Sequence, residues 1–158
     1  MEFGSPVCIR QFVPSDLVPL LQMIQETIET SYRDVYPVRA IQFFSRFHSK
    51  TAIEERSRSG EVLVLEQDGR ILATGSLRGN EISGVFVSPS AQRLGYGRAV
   101  MNELEMKAKA QGITEIELSI SLPSRRFYEN MGYEVLERKS IDMGEGQSLA
   151  YWPARKKL

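Results

Sequence analysis

Hydrophobic positions in the first third of the chain recur at helical spacing after one strand-like run. That run covers 7–13 and stops at Pro14. Apolar side chains then fall on one face of a helix, at Leu17, Leu20, Leu21, Ile24 and Ile28. A second apolar face extends toward His48, and a shorter, charged segment is closed by Gly60. The pattern predicts one strand followed by three helices.

From residue 61 the hydrophobic period changes to two, which is typical of β-strands. Three alternating runs are separated by the dipeptides Asp68-Gly69 and Gly79-Asn80. Both dipeptides favour the tight turns of β-hairpins, because glycine and asparagine tolerate positive φ angles. The pattern therefore predicts a three-stranded antiparallel meander.

The last part of the chain alternates helices and strands. Their predicted ranges are a helix at 97–111, a strand at 114–120, a short helix at 124–132, and strands at 133–141 and 148–152. Pro153 cannot donate to a ladder, so we expect the last strand to end there. This order of elements predicts an α/β protein of the mixed α+β kind, with helices on both faces of a mixed sheet.

Chain length and composition indicate one domain. The chain has 158 residues and is 42% hydrophobic, which suffices for a single ordinary core. The opening MEFGSP, at 1–6, has no periodic pattern and is interpreted as a cloning scar. We expect residues 7–158 to form the single domain.

Charge and cysteine content restrict the partners and the compartment. Twenty basic and twenty acidic residues cancel, so no general field favours nucleic acid or an anionic membrane. The single cysteine, Cys8, cannot form an intrachain disulfide and is interpreted as a small core residue. No apolar run is long enough for a signal sequence or a membrane span. These features favour a cytoplasmic protein without nucleic-acid or membrane partners.

The segment FVSPSAQRLGYGRAVMNELE, at 86–105, places two glycines at a predicted strand-to-helix junction. Free N–H groups and the helix dipole favour an anion there, and glycine lets the backbone approach a phosphate closely. A nucleotide-triphosphate loop is excluded, because it needs a lysine after Gly97, where the chain has arginine. A dinucleotide fingerprint is excluded as well, because it needs glycine where Val100 stands. The other interpretation of the two glycines is a tight turn that binds no ligand. Three flanking polar side chains favour phosphate binding: Gln92, Arg93 and Arg98.

The loop reads Q-x-x-G-x-G, the strand before it begins with EI, and FYENMGY follows one strand later. These three segments, in this order over about 81–135, resemble the GNAT acetyltransferase superfamily. The resemblance implies a mostly antiparallel mixed sheet of six or seven strands and acetyl-CoA as co-substrate, without a metal. It further implies transfer of an acetyl group to a primary amine of a small molecule or peptide, directly in a ternary complex. Pairing of such folds through an edge strand or the C-terminal segment would give a homodimer.

Applied residue by residue, the resemblance implies which positions of this chain bind acetyl-CoA. Backbone amides of the loop would wrap the pyrophosphate, and the end of the preceding strand would offer backbone groups to the pantetheine arm. Two serines stand where many members carry asparagine and alanine. The implied cofactor-binding residues are Phe86, Val87, Gln92, Arg93, Leu94, Gly95, Tyr96, Gly97, Arg98, Ser121 and Ser124.

Two residues are catalytic candidates. Tyr128 matches the family tyrosine that often protonates the departing thiolate, and Glu81 matches a strand position where several members place a general base. A protonated amine must lose a proton as it attacks, and a thiolate with a pKa of about 8.5 accepts one readily from a neutral phenol. Packing beside Phe127 is the alternative role for Tyr128, and simple solvation is the alternative for Glu81. A non-catalytic acyl-CoA-binding module would need neither residue, so their presence favours an enzyme.

The acceptor pocket of the family lies near the break between the first two helices. Tyr32, Asp34 and Tyr36 fall in this break and are the candidate substrate residues, with structural roles as the alternative. The only histidine, His48, is interpreted as a helix-terminal or core residue rather than a substrate ligand. The phenylalanines of IQFFSRF are interpreted as core. The sequence pattern does not identify the amine.

Overall fold

The computed structural model describes residues 5–158, so residues 1–4, which belong to the segment interpreted as a cloning scar, lie outside the described residues. The helices are α1 (Leu17–Tyr32), α2 (Val38–Phe47), α3 (Lys50–Ser59), α4 (Tyr96–Ala110) and α5 (Arg125–Asn130). The strands are β1 (Cys8–Gln11), β2 (Glu61–Gln67), β3 (Arg70–Arg78), β4 (Glu81–Val87), β5 (Glu115–Ser121), β6 (Glu134–Val135), β7 (Lys139–Gly144) and β8 (Gln147–Lys157).

All strands join one mixed sheet in the order β1-β2-β3-β4-β5-β8-β6, and β7 also pairs with β8. Every pairing is antiparallel except that of β4 with β5, which is parallel. The predicted fold class is therefore confirmed. The described part of the chain has eight strands rather than six or seven, because residues 136–138 divide the strand predicted at 133–141 into β6 and β7.

Helices cover the two faces of the sheet with separate cores. The apolar face of α1 packs with residues of α2 and α3 against one face, where Leu20, Ile24 and Ile28 are buried. The other face is covered by α4 and α5. Val100 and Leu104 of α4 have no exposed surface, since their spacing keeps them on one side of the helix. Within residues 5–158, no helix has both the length and the apolarity needed to cross a membrane.

The prediction that the last strand ends at Pro153 is wrong. Strand β8 continues to Lys157, and Pro153 lies opposite Ser119 within its ladder with β5. The carbonyl of Pro153 accepts a hydrogen bond from the N–H of Leu136, which lies on the opposite flank from β5. In a strand the N and C=O of one residue face the same flank, so the missing N–H leaves the ladder with β5 intact.

The prediction that Cys8 is a core residue is also wrong. Cys8 begins β1, the edge strand of the sheet, and its side chain is exposed. An edge strand pairs on one flank only, and the hydrophobic cores of both sheet faces exclude this position. Burial at the edge depends on how far the covering helices extend, which strand-like sequence does not specify.

The parallel pair of strands separates soon after it begins. Only Glu81 and Glu117 are in register between β4 and β5, supported by a hydrogen bond of 3.0 Å from the Glu117 N–H to the Asn80 carbonyl. Each strand stays paired on its other flank, β4 with β3 and β5 with β8. The sheet therefore opens into a gap between the ends of β4 and β5, and the candidate site lies there.

Candidate active site

Two cavities lie at the gap. The larger one has a volume of about 610 Å³ and lies between the end of β4, the start of α4, and α5. In the part of the chain that the structure describes, three arginines line it, namely Arg93, Arg98 and Arg126, and no aspartate or glutamate does. Its charge is therefore positive throughout, which favours an anionic ligand. Arg126 is not among the cofactor-binding residues predicted from the sequence, although its position directly before the phenylalanine of FYENMGY offered a signal.

The loop before α4 presents unpaired backbone donors to this cavity. The first hydrogen bond within the helix runs from the Ala99 N–H to the Gly95 carbonyl, at 3.0 Å. Among the described residues, no acceptor pairs with the N–H groups from Gly95 through Arg98. Arg93 and Gly95 both have positive φ angles, 66° and 85°, which turn successive N–H groups toward a common concave site. This geometry is that of an anion-binding loop.

The two glycines of the loop have different surroundings. A Cβ added at Gly95 would meet no atom within 4 Å, so this residue faces open space with a left-handed backbone. A Cβ added at Gly97 would come within 3.2 Å of both Phe127 and Val87. Gly95 therefore leaves the N–H groups accessible, whereas Gly97 lets α4 pack closely on β4 and α5. The close approach of a phosphate, which the sequence pattern predicted for both glycines, is therefore a role that the geometry supports for Gly95 alone.

The other predicted cofactor residues are placed around the same loop. The Gln92 side chain donates to the Val87 carbonyl at 3.1 Å and ties the loop to the end of β4. Phe86 is buried and, like Tyr96, lines the cavity. The side chain of Leu94 is 62% exposed and lies outside the cavity lining.

A second cavity, of about 260 Å³, lies on the other side of the gap. It is bounded by α2, the length of β4, and residues of β5, β7 and β8. Five residues line both cavities: Tyr32, Val85, Phe86, Ser124 and Tyr128. The two cavities therefore meet where β4 and β5 have separated, so ligands in them could touch.

Tyr128 stands at this junction with its hydroxyl free. Its ring packs against Phe127 and Tyr133, with centroids 4.9 and 5.7 Å apart. Within residues 5–158 the hydroxyl makes no hydrogen bond, and no side-chain polar atom there is both fully buried and unpaired. The hydroxyl therefore opens onto the cavities. Burial raises the pKa of Tyr128, so the phenol is neutral across the physiological range.

The three residues predicted to contact the substrate, from the break between the first two helices, differ from one another in their position relative to the cavities. Tyr32 lines both cavities and donates a hydrogen bond of 3.0 Å to Ser121, which lies 3.0 Å from the hydroxyl of Ser124. Tyr36 lies away from both cavities, where its hydroxyl donates to the Ala150 carbonyl at 2.8 Å and burial raises its pKa to about 12. Asp34 is exposed and lines neither cavity.

Glu81, the candidate base, begins β4 and lines the second cavity with an exposed side chain. At 3.3 Å per residue, its Cα lies up to about 13 Å along the strand from that of Val85. Val85 borders the junction of the cavities. Glu81 and the junction therefore lie at different ends of the part of β4 that lines the second cavity.

The phenylalanines of IQFFSRF form a wall of the second cavity. Phe43, Phe44 and Phe47 all line it, and Phe47 is 47% exposed. Phe44 also packs against Tyr32 and Tyr36, with centroids 4.8 and 5.0 Å apart. The interpretation as core is therefore wrong for Phe47, because α2 directs part of its apolar face at the gap in the sheet, whereas Phe43 and Phe44 are partly buried and pack against the core of that sheet face.

His48 is buried and lines the second cavity beside Phe86, with ring centroids 4.8 Å apart. Its Nδ1 lies 3.1 Å from Nη1 of Arg56, and Nη2 of Arg56 donates to the Phe47 carbonyl at 2.7 Å. A guanidinium can only donate, so Nδ1 is the acceptor and the ring hydrogen of the neutral imidazole is on Nε2. Burial, with the charge of Arg56, lowers the pKa of His48 to about 3.

The lowered pKa of His48 predicts a loss of stability in acid. Its pKa is 6.5 when unperturbed and about 3 in the fold, so the unfolded chain binds the additional proton between these pH values. The free energy of unfolding should fall as pH drops below 6.5, by about 1.4 kcal/mol per pH unit from this group. Urea unfolding at pH 7.5 and 4.5 measures the fall, which should be smaller in His48→Gln by about 3 kcal/mol. Equal pH dependence in both proteins would contradict the assignment.

The sequence matches a family model described as "Acetyltransferase (GNAT) domain" over residues 27–145. This match covers more than half of the chain and includes the glycine loop, Tyr128, and most of both cavities. A sequence search of curated proteins finds no significant match.

Solved structures with the same fold span nearly the whole chain. A GCN5-related N-acetyltransferase from Rhodopseudomonas palustris is 21% identical, with a TM-score of 0.87 and coverage of 100% of this chain and 99% of that one. The PaiA N-acetyltransferase from Thermoplasma acidophilum, in complex with coenzyme A, is 20% identical, with a TM-score of 0.79 and coverage of 97% and 99%. YncA from Salmonella typhimurium, described as a putative acetyltransferase with its cofactor acetyl-CoA, is 18% identical, with a TM-score of 0.70 and coverage of 98% and 95%.

Proposed function

The chain belongs to the GNAT acetyltransferase family, and on this basis we propose that it moves an acetyl group from acetyl-CoA to a primary amine by direct transfer in a ternary complex. The amine belongs to a small molecule or a peptide. The observation that carries the proposal is the junction of an anion-binding cavity with a second, apolar cavity at the free hydroxyl of Tyr128. Two substrates bound on either side of the gap would have their reacting atoms in contact.

The larger cavity has the features that acetyl-CoA requires. Four unpaired N–H groups at the start of α4 supply donors for the pyrophosphate, and the helix dipole adds a favourable potential. Arg93, Arg98 and Arg126 supply positive charge for its phosphates. Val85 to Val87 extend from the loop toward Tyr128 along the open edge of β4, where backbone groups are available to an extended pantetheine arm.

The chemistry follows from the placement of Tyr128 and Glu81. The amine nitrogen forms a bond to the acetyl carbonyl carbon, and the carbon–sulfur bond breaks. Tyr128 donates its phenolic proton to the departing thiolate, since burial keeps the phenol neutral. Glu81 takes the amine proton through water in the second cavity. The phenolate of Tyr128 then recovers a proton from solvent through the open cavity.

A screen of amines with purified protein and acetyl-CoA tests the proposal, with free thiol release as the readout. The panel should contain aromatic amines, polyamines, amino acids and short peptides, and each hit should be verified by the mass of its acetylated product. Amine-dependent thiol release with an acetylated product supports the enzyme. Tight acetyl-CoA binding without any acetylated product would instead favour the non-catalytic acyl-CoA-binding module.

Glu81→Gln should lower the rate near pH 7 by about 10- to 100-fold. A typical amine is almost fully protonated at this pH, and the variant lacks the carboxylate that would take its proton. Raising the pH toward 9 should restore part of the rate, since more acceptor is then already deprotonated. Initial rates across this pH range measure both effects. Glu117→Gln is the matched control, because Glu117 is the parallel neighbour of Glu81 but lines neither cavity. An unchanged rate at pH 7 in Glu81→Gln would assign the proton to water or to another residue.

A further inference from the structure

The second cavity has walls suited to one class of acceptor. Its apolar lining comes from α2, β4, β7 and β8, and aromatic rings form much of it, with Phe43, Phe44, Phe47 and Phe86 among them. Among residues 5–158, no lysine or arginine lines it, and Glu81 is its only carboxylate. An amino-acid acceptor would therefore bury its carboxylate without a cation, and a polyamine would bury additional ammonium groups with a single carboxylate to receive them. A primary alkyl amine that carries an aromatic ring and no further charged group avoids both costs.

His48 contributes a polar group of defined orientation to this wall, beside the serine and tyrosine hydroxyls that also line the cavity. The hydrogen on Nε2 of His48 follows from the contact of Nδ1 with Arg56, which only donates. Nε2 makes no hydrogen bond within residues 5–158, and no side-chain polar atom there is both fully buried and unpaired. Because His48 lines the cavity, Nε2–H opens onto it. The uncharged imidazole is therefore a fixed hydrogen-bond donor toward the acceptor, and its lowered pKa makes it a poor base.

We propose that the second cavity binds an arylalkyl primary amine whose ring carries a hydrogen-bond acceptor, and that the Nε2–H of His48 donates to this acceptor atom. This inference rests on the proposed acetyl transfer. The amine would lie at the junction beside Tyr128, and the ring would pack among the phenylalanines. Arg56 is a positioning residue, because it fixes the tautomer of His48 and also donates a hydrogen bond to the carbonyl of Phe47, the last residue of α2.

The volume and opening of the cavity agree with a small amine. About 260 Å³ lies just below the range of about 300 to 1,000 Å³ typical of ligand sites, which fits a single ring with a short alkyl chain. Phe47 and Ile141 line the cavity and are 47% and 40% exposed, so they mark its opening to solvent. Exposed apolar side chains at an opening favour entry of an apolar ring.

The test compares matched amines. Tyramine and 2-phenylethylamine differ only in the ring hydroxyl, whereas phenylalanine adds a carboxylate and spermidine replaces the ring. We expect kcat/KM for tyramine to exceed that for phenylalanine and spermidine by at least about 100-fold, the effect of leaving a buried charge unpaired. Equal or better turnover of spermidine or phenylalanine would overturn the substrate class while leaving acetyl transfer intact.

Two variants of His48 separate hydrogen bonding from packing. Asparagine places a polar group near Nδ1 and keeps a partner for Arg56, whereas glutamine extends an amide nitrogen toward the position of Nε2. His48→Asn should raise KM for tyramine about tenfold with little change in kcat, and should leave 2-phenylethylamine nearly unaffected. His48→Gln should restore most of the tyramine affinity. Equal losses for both amines in His48→Asn would mean a merely structural role and would overturn the donor assignment.

Direct binding distinguishes failure of this inference from failure of the proposed function. Calorimetric titration of tyramine into protein saturated with coenzyme A should show binding that His48→Asn weakens. Binding with this dependence but without acetylated product would support the cavity assignment and overturn the enzymatic function. Neither binding nor turnover of tyramine, with turnover of another amine, would overturn the cavity assignment alone.

Discussion

Replacement of Tyr128 by phenylalanine is expected to lower kcat by about 10- to 1000-fold while acetyl-CoA affinity stays nearly unchanged. The hydroxyl makes no hydrogen bond to the described chain, so its removal leaves no partner unpaired and no cavity in the core. Its contribution arises only when the carbon–sulfur bond breaks and negative charge develops on sulfur. Raising the pH should not restore the rate, because the missing group is a proton donor.

Tyr133→Phe is the matched control for this change. Tyr133 packs against Tyr128 and is also buried, but it donates to Glu105 at 3.2 Å and lines neither cavity. Its replacement should reduce stability by about 1 kcal/mol with kcat largely retained. Steady-state kinetics from pH 6 to 10, with calorimetric titration of acetyl-CoA, measure both variants. Wild-type turnover of Tyr128→Phe at every pH would exclude the tyrosine from the mechanism.

Gly95→Val is expected to remove measurable binding of acetyl-CoA, which we expect in the micromolar range for the unmodified protein. Gly95 has φ of 85° and faces open space, so a branched side chain would project beside the N–H groups that begin α4. It would hold a pyrophosphate away from its donors without clashing with the core. The substitution also imposes backbone strain, since a β-branched residue rarely adopts this conformation.

Gly112→Val separates the strain from the loss of the anion site. Gly112 lies just beyond the other end of α4, has φ of 81°, and likewise has no atom within 4 Å of an added Cβ. Both variants should lose a similar amount of thermal stability, and only Gly95→Val should lose binding. Calorimetry and thermal unfolding of the two proteins provide the comparison. Unchanged acetyl-CoA affinity in Gly95→Val would contradict the assignment of the loop.

Features written in short stretches of sequence could be predicted because their causes are local. Asp68 and Gly69 both adopt positive φ in the turn between β2 and β3, as their dipeptide indicated. The glycine loop precedes α4 as predicted, and its N–H groups are free because no helix can pair the donors of its first turn. The segments over 81–135 led to the family that the domain match then identified.

Most of the elements, the family and the position of the anion-binding loop can be predicted from local sequence, because helix ends, hairpin turns and apolar periods depend on residues a few positions apart. Which side chains meet at the gap depends on contacts between elements that are far apart in the sequence. The pairing of His48 with Arg56 depends on how α2 and α3 cross, and Arg126 reaches the cavity only because α5 packs beside α4. The aromatic face of α2 looks like core in sequence, since apolar spacing is the same whether a face meets another element or an open cavity. What a face contacts depends on where β4 and β5 separate, and that separation arises from pairing between strands distant along the chain.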